Sequence, residues 1–240
     1  RGEQDAVRVT IPPGVRPAIL AKRVGRILYT DSAAVHAALN DSVLAAELGT
    51  DTEHLFAYMR PDTYQFYWLT GAAGVIRRLK GAFEDGITPE IRAKADSLGL
   101  SMEEVIRLAS IIEWEAYRED EKATIAGVYI NRLETGMPLQ ADPTIQYAIM
   151  EQNEGQKRLL LYEDYKIDPP YNTYNYAGLP PGPVTNPAFS TIEAVLNAED
   201  HDYRFFVADG SGGHIFSRTF EEHRQAAARY RRMMRERRNE

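Results

Sequence analysis

The chain has 240 residues, enough for one large domain or two small ones, and its 44% apolar and 26% charged residues are those of an ordinary globular protein with a normal core. A formal net charge of −7 leaves no global positive field to neutralise a phosphate backbone, so nucleic acid is not an expected partner. The absence of cysteine removes disulfides, thiolate nucleophiles and cysteine-based zinc sites.

No apolar run approaches the roughly 20 residues that span a bilayer. The opening Arg1-Gly-Glu-Gln-Asp5 is too polar for a signal peptide. Val7-Arg-Val-Thr-Ile11 alternates like a strand and runs into the turn Pro12-Pro-Gly14. From Val15 to about Ala46 the helix-like apolar spacing, through Ile19, Leu20, Val24, Val35, Leu39, Val43 and Leu44, is read as a strand and short helices. Pro61-Asp-Thr-Tyr64 reads as a turn leading into the aromatic run Phe66-Tyr-Trp68, taken as core packing.

A helix is expected over Gly71–Phe83, and another after Thr88, which is placed to cap it with Pro89 at its first position. Ser101-Met-Glu-Glu104 is a capping box ahead of a helix through Val105, Leu108, Ala109, Ile112 and Ala116. A further helix spans about Glu119–Thr135 and ends at Gly136. The chain then turns loop-rich and proline-dense, through Met137–Pro143, Asp168–Tyr174 and Gly178–Pro183. Ser190–Asn197 is helix-like, Tyr203–Ala208 and His214–Phe216 form a hairpin about Asp209–Gly213, and an arginine-rich helix runs from Thr219.

The chemistry concentrates at Glu113 and Glu115, set among Ile111, Ile112, Trp114 and Ala116. A carboxyl held against apolar and aromatic groups keeps its proton to higher pH and can donate it to a leaving oxygen. Two residues apart, they point about 200° from one another around a helix, so they are not a facing carboxylate pair. The apolar stripe alone leans toward Glu115.

Leu108-Ala-Ser-Ile-Ile-Glu-Trp-Glu115, Glu121, Val128–Leu133, Gly136-Met137, Leu139-Gln140 and Asp142-Pro-Thr144 together resemble the YceG-like family of endolytic murein transglycosylases. The likeness continues through Asn172-Thr-Tyr174, Gly178–Gly182, Asn186-Pro187, Ser190, Phe206–Ala208 and Gly213–Phe216. It is looser before this, where Val9–Gly14 resembles a LysM-like strand and turn and Phe56-Ala57 stands where the family often has Glu-Gly.

The resemblance implies an α+β fold: a mixed LysM-like and helical N-terminal segment over residues 1–96, then an α+β catalytic domain over residues 97–240. It makes Glu113 the catalytic acid and base, with Glu115 as a supporting carboxylate or the alternative acid. It implies cleavage after N-acetylmuramic acid by attack of that sugar's own 6-hydroxyl on C1, leaving a 1,6-anhydro end. Tethering the nucleophile to the substrate lets one carboxyl serve where two-carboxylate glycosidases need a partner. Asn131, Gln140, Asp142, Thr144, Asn172, Tyr174 and His214 are the candidate glycan-binding side chains, and Tyr147, Tyr171 and Tyr176 candidate stacking platforms. No cofactor and no metal are implied. The implied partners are glycan strands and peptidoglycan synthases, with one N-terminal membrane helix ahead of this chain and the catalytic part facing the cell wall.

Three other readings compete. One is a glycan-binding or divisome scaffold without catalysis. A second is a metallohydrolase built on Glu113, Asp142, His201 and His214, for which no histidine pair at helix spacing speaks. The third, a serine triad of Asp209, Ser211 and His214, lacks a nucleophile elbow. The C-terminal arginines, Arg224 to Arg238, read as a solvated helix with interspersed glutamates rather than as a nucleic-acid or lipid surface.

Overall fold

A computed structural model describes residues 6–153, 159–168 and 170–239. The polar opening Arg1–Asp5, Pro169 of the second proline-dense loop and the side chain of Arg238 lie outside the described residues. The chain is α+β, mostly helical, with two separate two-stranded antiparallel sheets among the described residues. It divides into two compact units, each discontinuous in sequence: residues 1–110 with 182–190, and residues 111–181 with 191–240.

In the first unit β1 (Ala6–Ile11) pairs antiparallel with β2 (Asp62–Tyr67), with Val9 opposite Tyr64 and Val7 opposite Phe66. Side chains two apart share a face of a strand, so Val9 and Ile11 enter the core while Arg8 and Thr10 stay outside. β2 corrects the expected turn at Pro61–Tyr64. Pairing with β1 overrides the local turn signal, and Tyr64 and Phe66 alternate inward. Tyr67 and Trp68 are 63% and 48% exposed, so of the aromatic run only Phe66 is core.

Three helices follow, α1 (Pro17–Ile27), α2 (Ser32–Leu39) and α3 (Ser42–Glu47). Pro17 lies in a first turn, where its missing N–H costs no intrahelical bond. Asp31 and Asp41 cap the next two helices, accepting from Ala34 N at 2.7 Å and Val43 N at 2.8 Å. Next, α4 (Ala72–Gly86) buries Val75, Ile76, Leu79 and Phe83. α5 (Pro89–Ser97) begins as its sequence predicts, Thr88 Oγ accepting from Ile91 N. The core gathers Leu20, Val24, Val35, Leu55, Met59, Ile76 and Leu79. Asn186, fully buried, ties the distant segment in: its Oδ1 accepts from Val15 N, and its Nδ2 donates to the carbonyls of Pro12 and Met59.

α6 (Met102–Glu115) opens with the predicted capping box, Glu104 Oε2 accepting from Ser101 N at 2.8 Å and Ser101 Oγ from Glu104 N at 3.2 Å. Its residues from Ile111 on belong to the second unit. There a short 3-10 turn at Glu119–Glu121 leads into α7 (Lys122–Glu134). α7 is buried around most of its circumference, and Gly127 makes that possible. A Cβ there would lie 2.4 Å from the Glu199 carbonyl oxygen, which is backbone and has no rotamer to give.

The structure adds α8 (Asp142–Asn153), which the loop-rich reading after Gly136 does not contain. Pro143 sits in its first turn, where proline is tolerated, and Ile145, Ala148 and Ile149 supply the buried stripe. α9 (Phe189–Leu196) enters this unit at Thr191. The hairpin of β3 (Phe205–Ala208) and β4 (His214–Ser217) and the long α10 (Phe220–Asn239) complete it. No helix among the described residues is long and apolar enough to cross a membrane.

Candidate active site

The last turn of α6 carries Glu113 and Glu115 in two different settings. The Glu113 side chain is 10% exposed. Its Oε2 accepts a 2.5 Å hydrogen bond from the Thr191 hydroxyl and lies 3.6 Å from Lys122 Nζ. Lys122, 2% exposed, donates to the same Thr191 oxygen at 2.7 Å and to Glu119 at 2.6 Å. An ammonium only donates and a carboxylate only accepts, so the Thr191 hydroxyl is oriented from lysine to glutamate. A buried ammonium without such partners would carry a large desolvation cost, which ties Lys122 to this place.

Glu115 lines a cavity of about 300 Å³ together with Arg132, Gln140, Asp142, Tyr174, Phe205, Phe206, Phe220 and His223. Burial raises its pKa to about 8, with the Asp142 charge adding to the rise and Arg132 opposing it. Glu115 therefore holds a proton at neutral pH. Asp142 Oδ1 accepts from the hydroxyls of Tyr174 at 2.7 Å and Tyr165 at 3.1 Å. Burial first, and then the Asp142 charge, push Tyr165 up to about 12 and Tyr174 well above the ordinary phenol range, so both remain neutral donors.

Two features hold the cavity's shape. Arg132 donates to the carbonyls of Leu139, Pro138 and Arg204 and packs its guanidinium over Phe205 at 5.3 Å. Gln140 has φ +51°, the one non-glycine residue at positive φ among the described residues, and its amide donates to the Thr173 carbonyl. Strain of this kind persists where surrounding bonds over-determine the backbone, and it turns an exposed Gln140 side chain toward the cavity.

Of the residues singled out by sequence, Gln140, Asp142 and Tyr174 thus gather at Glu115. Asn131, Thr144 and Asn172 hold backbone. Asn131 Nδ2 donates to the carbonyls of His201 and Tyr203. Thr144, fully buried, donates to Ala141 O and bonds Thr173 Oγ. Asn172, also fully buried, donates to Tyr165 and Ile167 carbonyls and accepts from Tyr174 N, so it places Tyr174. His214 Nδ1 meets Glu121 Oε2 at 2.8 Å, and its backbone N donates to the other oxygen. Tyr147 and Tyr171 pack on each other at 4.5 Å, whereas Tyr176 is 44% exposed and donates to Asp168.

The residues of the two rival constellations go separate ways. Glu113 bonds Thr191, Asp142 the tyrosines, His201 the Thr124 carbonyl and His214 Glu121. No group of three or more possible metal ligands occurs among the described residues. Ser211 donates to Asp209 rather than to a histidine. Arg132 falls within the motif Val128–Leu133 without a role of its own there, and neither Lys122 nor Thr191 belongs to a motif. Lys122 opens a helix whose buried face is otherwise mostly apolar, which is the signal available for it, while nothing local marks Thr191, 78 positions from Glu113.

Residues 1–229 match the profile of the YceG-like family. A protein of Bacillus subtilis named endolytic murein transglycosylase is 41% identical over 131 residues, covering 55% of this chain and 35% of the relative. One of the same name from Streptococcus pneumoniae is 32% identical over 203 residues, covering 83% of this chain and 36% of the relative. The chain therefore spans about a third of the length of these curated relatives. A crystal structure of a YceG-like protein from Listeria monocytogenes superposes with a TM-score of 0.80 at 30% identity, covering 92% of this chain and 75% of that one.

Proposed function

The chain belongs to the YceG-like family, and from that premise we propose that it is the catalytic part of an endolytic lytic transglycosylase cutting peptidoglycan glycan strands. The names of its relatives support the reaction class. The observation that carries it is the Glu113 carboxyl, 10% exposed, with one oxygen fixed by Thr191 and an ammonium 3.6 Å away.

Glu113 enters the cycle protonated and gives its proton to the glycosidic oxygen between N-acetylmuramic acid and N-acetylglucosamine. The C1–O bond breaks and the leaving sugar departs with that proton. Thr191 and Lys122 then stabilise the carboxylate by a hydrogen bond and by charge. The carboxylate removes the proton of the muramic acid 6-hydroxyl, whose oxygen bonds C1 and closes the 1,6-anhydro ring. Glu113 is protonated again, so neither water nor a second carboxylate is consumed.

Glu115 plays a supporting part in this reading. Held protonated, it offers a neutral donor beside Gln140, Asp142 and Tyr174, and the phenylalanines of the cavity offer apolar faces to a sugar ring. The same proposal includes residues 97–240 as the catalytic domain, peptidoglycan synthases as partners, and a membrane anchor ahead of this chain that turns the enzyme toward the cell wall.

Digestion of purified glycan strands, followed by weighing of the products, tests it. Anhydro ends are lighter by one water than hydrolysed ends. Strands that wild type binds but leaves uncut would favour a scaffold instead, and hydrolysed ends would remove the intramolecular attack.

A further inference from the structure

In a chain of net charge −7, one face of the first unit is strongly basic. Arg8 on β1 and Lys22, Arg23 and Arg26 on α1 line a common groove with Thr10, Ile19 and Ile27. All four cations are exposed. Among the described residues no carboxylate pairs with any of them. Among the described residues the acids near them in sequence or register are engaged elsewhere, Asp31 in capping α2 and Asp62 in accepting from Thr63 N.

The groove continues into an apolar ridge. Ile27, at its end, is 37% exposed, and two residues on Tyr29 is 70% exposed. Tyr29 N donates to the Trp68 carbonyl at 2.9 Å, and the two rings meet edge-on at 5.1 Å. Beside Trp68 stand Tyr67 and Leu69, 63% and 54% exposed. Soluble surfaces carry single apolar residues freely, whereas a contiguous group rimmed by one sign of charge marks a contact surface.

The two halves of this surface match the two layers of a lipid headgroup region. Tryptophan and tyrosine prefer the depth at which an apolar ring meets water and carbonyl groups, and leucine and isoleucine reach further in. Unpaired lysine and arginine beside them suit lipid phosphates.

We propose that this face, formed by Arg8, Lys22, Arg23 and Arg26 with Tyr29, Tyr67, Trp68 and Leu69, docks the first unit on the surface of an anionic phospholipid bilayer. The inference does not rest on the carboxyls of α6, and catalysis on soluble strands is expected to be indifferent to it.

Co-sedimentation of the 240-residue chain with vesicles of phosphatidylglycerol and phosphatidylcholine in equal amounts, and with phosphatidylcholine alone, provides the test. Binding is expected to the anionic vesicles only and to vanish at about 1 M salt, where the screening length is ~3 Å. Lys22→Glu with Arg26→Glu should weaken partitioning by at least about 25-fold, about fivefold for each cation removed. Trp68→Ser with Leu69→Ser should weaken it even at low salt, and strand cleavage by both variants should stay at the wild-type rate. Failure of wild type to bind, or undiminished binding by either variant, overturns the proposal. So does loss of binding in Arg231→Glu with Arg232→Glu, which would place the lipid contact on α10 instead. If Lys22→Glu with Arg26→Glu abolishes self-association or glycan binding while vesicle binding persists, the surface serves another occupant and the proposal is equally overturned.

Discussion

Around Glu113 the neighbours are a hydroxyl and an ammonium, supplied by α9 and α7, the first bonded to its Oε2 and the second 3.6 Å from it. Around Glu115 they are phenylalanines, a second acid and tyrosine hydroxyls, and burial there favours the protonated form. The two groups share a helix turn and a residue type. Helix geometry decides only that they face apart; the partners each one meets come from 9 positions away, for Lys122 and Glu113, to 105 positions away, for Phe220 and Glu115. In the proposed reaction Glu113 gives and takes the proton beside a hydroxyl and an ammonium, and Glu115, held protonated, is assigned to recognition.

The largest test of this division is a pair of isosteric changes. Glu113→Gln should lower strand cleavage by about 10³-fold, the range expected on losing a general acid and base. Glu115→Gln keeps a neutral hydrogen-bonding group and should retain activity within about tenfold. Rates of anhydro-end formation give both numbers, and the reverse ranking would exchange the two roles.

Next in size is an effect on stability. With its pKa raised from 4.5 to about 8, Glu115 binds a proton in the folded chain that the unfolded chain has released. Stability linked to it is therefore complete below about pH 4.5 and is lost as pH climbs toward 8. Glu115→Gln should remove that loss. Allowing for the edge of Glu115 that the cavity leaves open, the variant should be more stable than wild type by on the order of 2 kcal/mol at pH 7 and equal to it at pH 4. Urea unfolding at the two pH values measures this.

Smaller again is the effect of the relay on the Glu113 side. Thr191→Val leaves the carboxylate and the buried ammonium each short of one hydrogen bond, and should cost about 1–2 kcal/mol of stability and about tenfold in cleavage. Thr191→Ser should recover most of both, which a loss of packing alone would not allow. The smallest change is expected from Asp142→Asn, which keeps an acceptor for Tyr165 and Tyr174 but removes the charge that adds to the rise at Glu115. The pH-dependent decline in stability should then end at a lower pH, with a difference at pH 7 under about 1 kcal/mol. An unchanged profile would leave burial as the whole cause.

Local signals acting over a few residues were legible in the chain itself. The alternation of β1, the Thr88 and Ser101 caps, Gly136 and the hairpin about Asp209–Gly213 all work through neighbours in sequence, and the structure has them where the residues put them. The family's ordered motifs were legible as well, because they survive as short runs. Two local signals differ from the structure: Pro143 signals a loop although a first helical turn accepts it, and Asp62-Thr63 signal a turn although β1, about 50 residues away, draws them into a strand.

Packing alone decided the rest. Asn186, part of a family motif, holds the Pro12 and Met59 carbonyls and the Val15 amide of the first unit together, a role no spacing in its own segment implies. Lys122 and Thr191, 69 positions apart, meet at Glu113 only once α7 and α9 are in place. Chain order and helix periodicity set which carboxyls stand on one helix turn and that they diverge. Tertiary structure chose their partners, because hydrogen bonding and desolvation act over a few ångströms of space without regard to distance along the chain.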